Sequence, residues 1–355
     1  IWIDYMRRGI LATGELGELV RRGVTGLTSN PTIFEKAISE STDYDSALSE
    51  LSTSERAPSE IFEQLAVEDI QGAADILRSV YDDSDGADGF ASLELPPPLA
   101  NDTKSTITEA RRMFRRLDRP NVMIKVPATA SGVAAVRPLI AEGINVNVTL
   151  IFAVTTYQNV MYQYIEGLED RAKSGKNLGT VSSVASFFVS RIDTAVDAEL
   201  RSNPNIKTGN TLVGTAAIAN AQNAYALFQH VFSSDRFLDL SKDRGRVQRP
   251  LWASTSTKDP MFRDTLYVDE LIGQNTVNTV PPDTLEALCD HGVPLPRLAG
   301  TESQGAQQMR KLESASIDMT AITDRLLQQG MMAFSKSYDL ALESIQSKML
   351  KIRSQ

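Results

Sequence analysis

Short apolar runs alternate along the chain with longer stretches in which apolar residues recur every three to four positions. Periods of two and of 3.6 residues are the marks of strand and helix. Eight runs predict strands, at 1–5, 26–30, 90–95, 122–128, 144–152, 183–190, 251–256 and 275–280. Helical patterns lie between them, among them 8–22, 60–81, 103–117, 132–142, 155–174 and 191–201. Several strands are almost wholly apolar at their starts. That suits a parallel sheet whose outer face is covered by helices. Eight strands separated by helices predict an α/β fold, a (β/α)8 (TIM) barrel, rather than an open doubly wound sheet.

Two segments read as additions. Residues 39–57 form a polar, acidic, helical stretch before the third strand, and residues 294–355 follow the eighth strand as a helical extension ending in a long amphipathic helix over 333–352. Neither carries the Pro/Gly/Ser-rich linker of a domain boundary. The expectation is one barrel domain over 1–355, with its core in 1–293 and helical decoration in 294–355. The chain opens inside a strand, so further residues are expected upstream.

Composition narrows the function. Across 355 residues the apolar share is 42%, the charged share 23% and the net charge −9. No run of Lys or Arg exceeds a pair, so neither nucleic acid nor a membrane surface is an expected partner. A single cysteine, Cys289, fits a reducing compartment, hence the cytoplasm. No apolar stretch is long enough to span a bilayer. Cys289 and His291 lack a second ligand cluster, so no metal is expected. There is no GxGxxG or Walker loop, and no cofactor is expected.

In a barrel, alternate side chains point inward and the C-terminal strand ends form the active site. In the fifth strand Asn145, Asn147 and Thr149 share one face, while Val146, Val148 and Leu150 share the other. The alternation alone would equally suit a half-buried strand with its polar face in water. In a barrel the outer face meets helices, so the polar row must point inward. Buried polar groups without partners cost about 1–3 kcal/mol each, so such a row serves a ligand or a network. The fourth strand embeds Lys125 in apolar neighbours. It could be a snorkelling lysine at a strand end. An uncompensated buried ammonium, however, tends to shed its proton, and the free amine is the form that attacks a carbonyl. Asp4 ends the first strand and Glu94 the third. Either could be a turn residue, but two carboxylates meeting a lysine at one barrel mouth supply an acid/base pair. Asn30 precedes Pro31 and reads locally as a helix cap. Arg191 and Lys258 stand beside hydroxyl residues at helix starts, where they would suit a phosphate or lie solvated at the surface.

The segments Gly26-Leu-Thr-Ser-Asn-Pro-Thr-Ile-Phe, Ile124-Lys-Val-Pro-Ala-Thr, Glu142-Gly-Ile-Asn-Val-Asn-Val-Thr-Leu-Ile-Phe, Ser186-Phe-Phe-Val-Ser-Arg and Ala253-Ser-Thr-Ser-Thr-Lys occur in this order. Together they resemble the transaldolases, in particular the long bacterial form, over residues 1 to about 285. The resemblance implies a class I barrel enzyme with a Schiff base on Lys125. It implies that Asp4 handles the C4 hydroxyl proton, and that Glu94 and Thr149 relay protons through a water. Asn30 and Asn147 would bind the dihydroxyacetone part, with Thr28 and Ser186 nearby. Arg191, Ser254 and Lys258 would hold the phosphate, and Phe188 would wall the pocket. The implied reaction moves a dihydroxyacetone unit from sedoheptulose 7-phosphate or fructose 6-phosphate to glyceraldehyde 3-phosphate or erythrose 4-phosphate, in the non-oxidative pentose phosphate pathway. A monomer or homodimer is expected. The chain departs from the long bacterial pattern at the proline-rich Leu95-Pro-Pro-Pro-Leu and at Ser256, where that form carries glycine. The nearest alternative is a fructose-6-phosphate aldolase of the same fold, in which a non-acidic residue replaces Glu94. A non-catalytic barrel that binds sugar phosphates is the alternative from another class.

Overall fold

A computed structural model describes residues 1–51, 56–202 and 209–353. The eight strands are β1 (Trp2–Asp4), β2 (Gly26–Thr28), β3 (Phe90–Glu94), β4 (Val122–Pro127), β5 (Val146–Ile151), β6 (Ser183–Phe188), β7 (Arg249–Ala253) and β8 (Val277–Val280). Each pairs in parallel with its sequence neighbours, and β1 pairs with β8, closing the barrel. All eight predicted strands are present, seven of them within the predicted runs and shorter, while β7 begins two residues earlier than its predicted run at 251–256 and ends three residues sooner. Parallel strands joined by helical crossovers bury both faces, which is why β4, β5 and β6 are buried along their whole length.

The helices follow the predicted pattern with local breaks. The stretch expected as one helix over 8–22 is two, Arg8–Ala12 and Glu15–Arg21. Gly14 between them is left-handed, at φ 78°, a conformation open to glycine at no steric cost. The helix expected at 60–81 runs Pro58–Ile76 and restarts as Arg78–Asp83. In the polar segment 39–57, Asp45–Leu51 is helical; residues 52–55 lie outside the described residues. Its Tyr44 and Leu48 join Ile38, Ile61, Leu65, Ile345 and Met349 in a small second core. Among the described residues no helix is long and apolar enough to cross a membrane.

The terminal helix is longer than the sequence pattern suggests. It begins at Met319 and continues to Arg353. Gly330, a residue of low helix propensity, lies inside it. Arg325 pairs with Glu199 on the helix after β6 at 2.6 Å, and Gly330 lies against Leu150 of β5. Farther along, the Ser337 hydroxyl meets that of Thr32 at 2.8 Å, Tyr338 packs edge-on against Phe62, and Lys348 donates to the Ser41 carbonyl. The helix therefore runs along the C-terminal rim of the barrel from the β6 side to the β2 side.

Candidate active site

Three adjacent strands align the central residues. Glu94 of β3 is the Cα partner of Lys125 of β4, and Lys125 is that of Asn147 of β5. The Lys125 side chain is 5% exposed and that of Glu94 4%. Their Nζ and Oε2 atoms lie 3.2 Å apart, while the Lys125 Nζ donates to the Ser29 carbonyl at 2.9 Å. Glu94 Oε2 is left buried without a hydrogen bond of good geometry, and so is the Thr149 hydroxyl. Glu94 Oε2 thus has only its ion pair with Lys125, and the Thr149 hydroxyl has no partner, so both oxygens can still accept a hydrogen bond.

Around them runs a chain of hydrogen bonds. Ser186 donates to Asn147 Oδ1 at 2.7 Å, Asn147 Nδ2 donates to Ser92 Oγ at 3.2 Å, and Ser29 Oγ donates to the Ser92 carbonyl at 2.7 Å. The Ser186 bond makes Oδ1 the acceptor, so Asn147 presents a fixed amide orientation. Asn145 lies lower in the barrel and closes the strand bottoms, donating to the carbonyls of Pro120 and Val122 and accepting from Ser182 N. The polar row of β5 thus divides into a scaffold residue and two residues at the mouth.

Asp4 and Thr28 are Cα partners on β1 and β2. Thr28 donates to Asp4 Oδ1 at 2.7 Å, so its oxygen accepts from Thr279 of β8, also at 2.7 Å. Burial raises the Asp4 carboxyl above its ordinary range; Lys125, the Thr28 hydrogen bond and Arg191 pull part of the way back. Burial likewise raises Glu94, against the pull of Lys125, and Asp4 raises it further. Carboxyls raised in this way exchange protons nearer to neutral pH.

On the opposite side of the mouth Arg191 stacks over the Phe188 ring, 5.3 Å from its centre. Among the described residues no carboxylate lies within ion-pair distance of Arg191 or Lys258. Lys258 donates to Ser256 Oγ at 2.7 Å. Both cations are lowered by burial, and Arg191 lowers Lys258 further. Ser254 stands at φ 56° with its hydroxyl 3.0 Å from that of Ser190. Half-buried cations without an ion-paired carboxylate are able to hold an anion. Asn30 caps its helix through Oδ1, which accepts from Ile33 N at 3.0 Å. The local cap reading therefore holds for that oxygen, and only the amide nitrogen is left for a ligand.

Sequence reasoning missed Ser29, Ser92 and Thr279, which orient the residues it found. Ser92 was legible in principle, two positions before Glu94 and in phase with it. Ser29 acts through its backbone carbonyl and Thr279 across the barrel seam, and neither leaves a local signal.

The fold and this cluster define a (β/α)8-barrel enzyme built around a buried lysine flanked by carboxylates. The chain belongs to the transaldolase/fructose-6-phosphate aldolase family, whose model matches residues 1–345. It is 44% identical over 351 residues to a transaldolase of Saccharopolyspora erythraea, covering 98% of this chain and 94% of that protein. It is also 44% identical to a transaldolase of Mycolicibacterium smegmatis, and 43% identical to transaldolase 2 of a Nostoc species, with the same coverage in both cases.

Proposed function

We propose that the protein is a transaldolase that transfers a dihydroxyacetone unit between sugar phosphates through a Schiff base on Lys125. The observation that carries this reading is the Lys125 amine, buried inside the barrel mouth 3.2 Å from Glu94 with a single carbonyl acceptor. As the free amine it attacks the C2 carbonyl of fructose 6-phosphate or sedoheptulose 7-phosphate. Glu94 and Thr149, whose buried oxygens lack hydrogen bonds, pass protons to the departing hydroxyl, which leaves as water. The protonated imine then accepts the electrons of the C3–C4 bond as Asp4 takes the C4 hydroxyl proton. Erythrose 4-phosphate or glyceraldehyde 3-phosphate leaves, and the three-carbon enamine stays bound until a second aldose phosphate accepts it. Arg191, Ser254 and Lys258 hold the phosphate, with Phe188 under the Arg191 plane. Asn30, Asn147, Thr28 and Ser186 hold or orient the dihydroxyacetone hydroxyls. The reaction belongs to the non-oxidative pentose phosphate pathway in the cytoplasm.

Borohydride reduction in the presence of fructose 6-phosphate, followed by mass spectrometry, tests the nucleophile. A three-carbon adduct is expected on Lys125; an unmodified Lys125 removes the proposal. A coupled assay tests transfer. Turnover should require erythrose 4-phosphate or glyceraldehyde 3-phosphate as acceptor, whereas free dihydroxyacetone accumulating without an acceptor would assign the chain to the aldolases of the same family.

A further inference from the structure

Beyond Thr149 the fifth strand loses its register. Val148 faces Ala185 of β6, yet Ile151 faces Phe187, so β5 holds one residue more than its partner across this interval. The extra residue is accommodated at Leu150, whose φ of 58° lies in the left-handed region. Leucine there is disfavoured by its own Cβ. A bulge of this kind re-aims the side chains on either side of it. Here it separates two tasks. Thr149 keeps its hydroxyl buried two residues beyond Asn147, the Cα partner of Lys125, while Ile151 falls in phase with Phe187, which packs outward against Tyr157 and Trp252. Without the extra residue Ile151 would share the inward face of Thr149.

A strained bulge persists where its surroundings over-determine it. Leu150 is 1% exposed, and the element covering it is the terminal helix at Gly330. A Cβ placed on Gly330 would stand 2.9 Å from Leu150 Cδ2 and 3.3 Å from its Cδ1. The helix thus carries its one residue without a side chain where the bulge rises to meet it. It is anchored on both sides of that point, by Arg325 to Glu199 and by Ser337 to Thr32, so it cannot readily retreat.

We infer that Gly330 and Leu150 are positioning residues: the terminal helix clamps the β5 bulge and thereby sets the aim of the Thr149 hydroxyl toward Lys125. The inference rests on the role proposed above for Thr149 and Lys125. It gives the terminal helix a part in imine formation although neither clamp residue touches the reacting atoms.

Gly330→Ala introduces the colliding carbon while improving helix propensity, so the melting temperature should not fall as it would for a merely structural lesion. The rate of borohydride-trappable imine formation with fructose 6-phosphate should fall about tenfold, with KM within about twofold, because a sub-ångström misplacement is felt in rate. Leu150→Ala, which removes volume without touching the helix, should slow trapping several-fold by leaving the bulge unclamped. In the double variant the methyl added to the helix fills the space that the shortened strand residue vacates. Trapping should then recover above either single variant, a non-additive result reserved for residues in contact. Trapping at the wild-type rate in the single variants, or purely additive losses, overturns the inference. If Gly330→Ala fails to fold, wild-type trapping by Leu150→Ala overturns it alone. Absence of any adduct in the wild-type protein would instead strike the proposed function.

Discussion

Two buried charged clusters stand within one chain, and they are built to opposite standards. In the outer layer, Asp69 accepts from Arg8 Nε at 2.7 Å through one oxygen and from the Tyr44 hydroxyl at 2.9 Å through the other. Arg8 also reaches Glu68 at 2.8 Å, and its backbone N–H donates to Tyr44. Both oxygens of the acid are satisfied. At the barrel mouth, Glu94 and Thr149 each keep a buried oxygen without a hydrogen bond, and Lys125 meets one carbonyl and one poorly aligned carboxylate. A closed network holds elements together, whereas an open one keeps polar groups free to act on something else. The first cluster ties the segment after β1 to the helices at 45–51 and 58–76. The second is the proposed site of chemistry.

The sharpest way to break this contrast is Lys125→Ala. Turnover should fall to background and the borohydride adduct should vanish, while circular dichroism and melting temperature stay near wild type. A protein that unfolds on losing this lysine would place the amine among the supports of the fold instead. Asp4→Ala should come next, slowing cleavage by roughly 10²–10⁴-fold, the range for a lost general acid or base. Imine trapping should persist, because Asp4 acts after the imine forms; loss of trapping would assign Asp4 an earlier step. Burial raises the Asp4 carboxyl. Its ionised, proton-accepting form is therefore lost at a higher pH than a surface aspartate would set, and kcat should decline on the acid side accordingly.

Asp69→Asn probes the closed cluster and should give the reverse pattern. Specific activity of the folded protein should hold while stability drops by about 1–3 kcal/mol, the cost of leaving buried partners unmet. Burial, only partly offset by Arg8, pushes the Asp69 carboxyl up to about 6. Its proton is bound more tightly folded than unfolded, where the ordinary value is about 3.9. Its contribution to stability is then full below the unfolded value and is lost as pH rises through about 6. The melting-temperature gap between wild type and Asp69→Asn should shrink from pH ~4 to pH ~7, and a constant or widening gap would contradict this account.

The same division explains what the sequence made legible. The strands were readable because both faces of each are buried, which concentrates apolar residues into short runs. Lys125, Asp4 and Glu94 stood out against that background, since a charge in such a run needs a reason. Asn147 and Thr149 were readable from alternation. What escaped was long-range: the Ser29 carbonyl under Lys125, Thr279 across the β1–β8 seam, and the length of the terminal helix. Gly330 ends a helix by local propensity, and only its contact with Leu150 of β5 shows why it sits mid-helix. The closed Asp69 cluster was invisible for a related reason. Arg8, Tyr44 and Asp69 are each ordinary helix or turn residues until the fold joins them.

The smallest expected effect lies at Ser256, beside the proposed phosphate site. Lys258 has no acidic partner among the described residues, and its Nζ donates to the Ser256 hydroxyl at 2.7 Å. A neutral acceptor orients the ammonium without cancelling its charge, which leaves the charge available to a phosphate. Ser256→Gly removes that acceptor and loosens the backbone that carries Lys258. One partly exposed hydrogen bond is worth about 0.5–1.5 kcal/mol, so KM for fructose 6-phosphate should rise about two- to fivefold with kcat little changed. The rise should be confined to phosphorylated substrates. Imine trapping with free dihydroxyacetone, which carries no phosphate, should match wild type. Equal losses with both ligands would move Lys258 away from the phosphate end, leaving Arg191, stacked on Phe188, as the principal anion ligand.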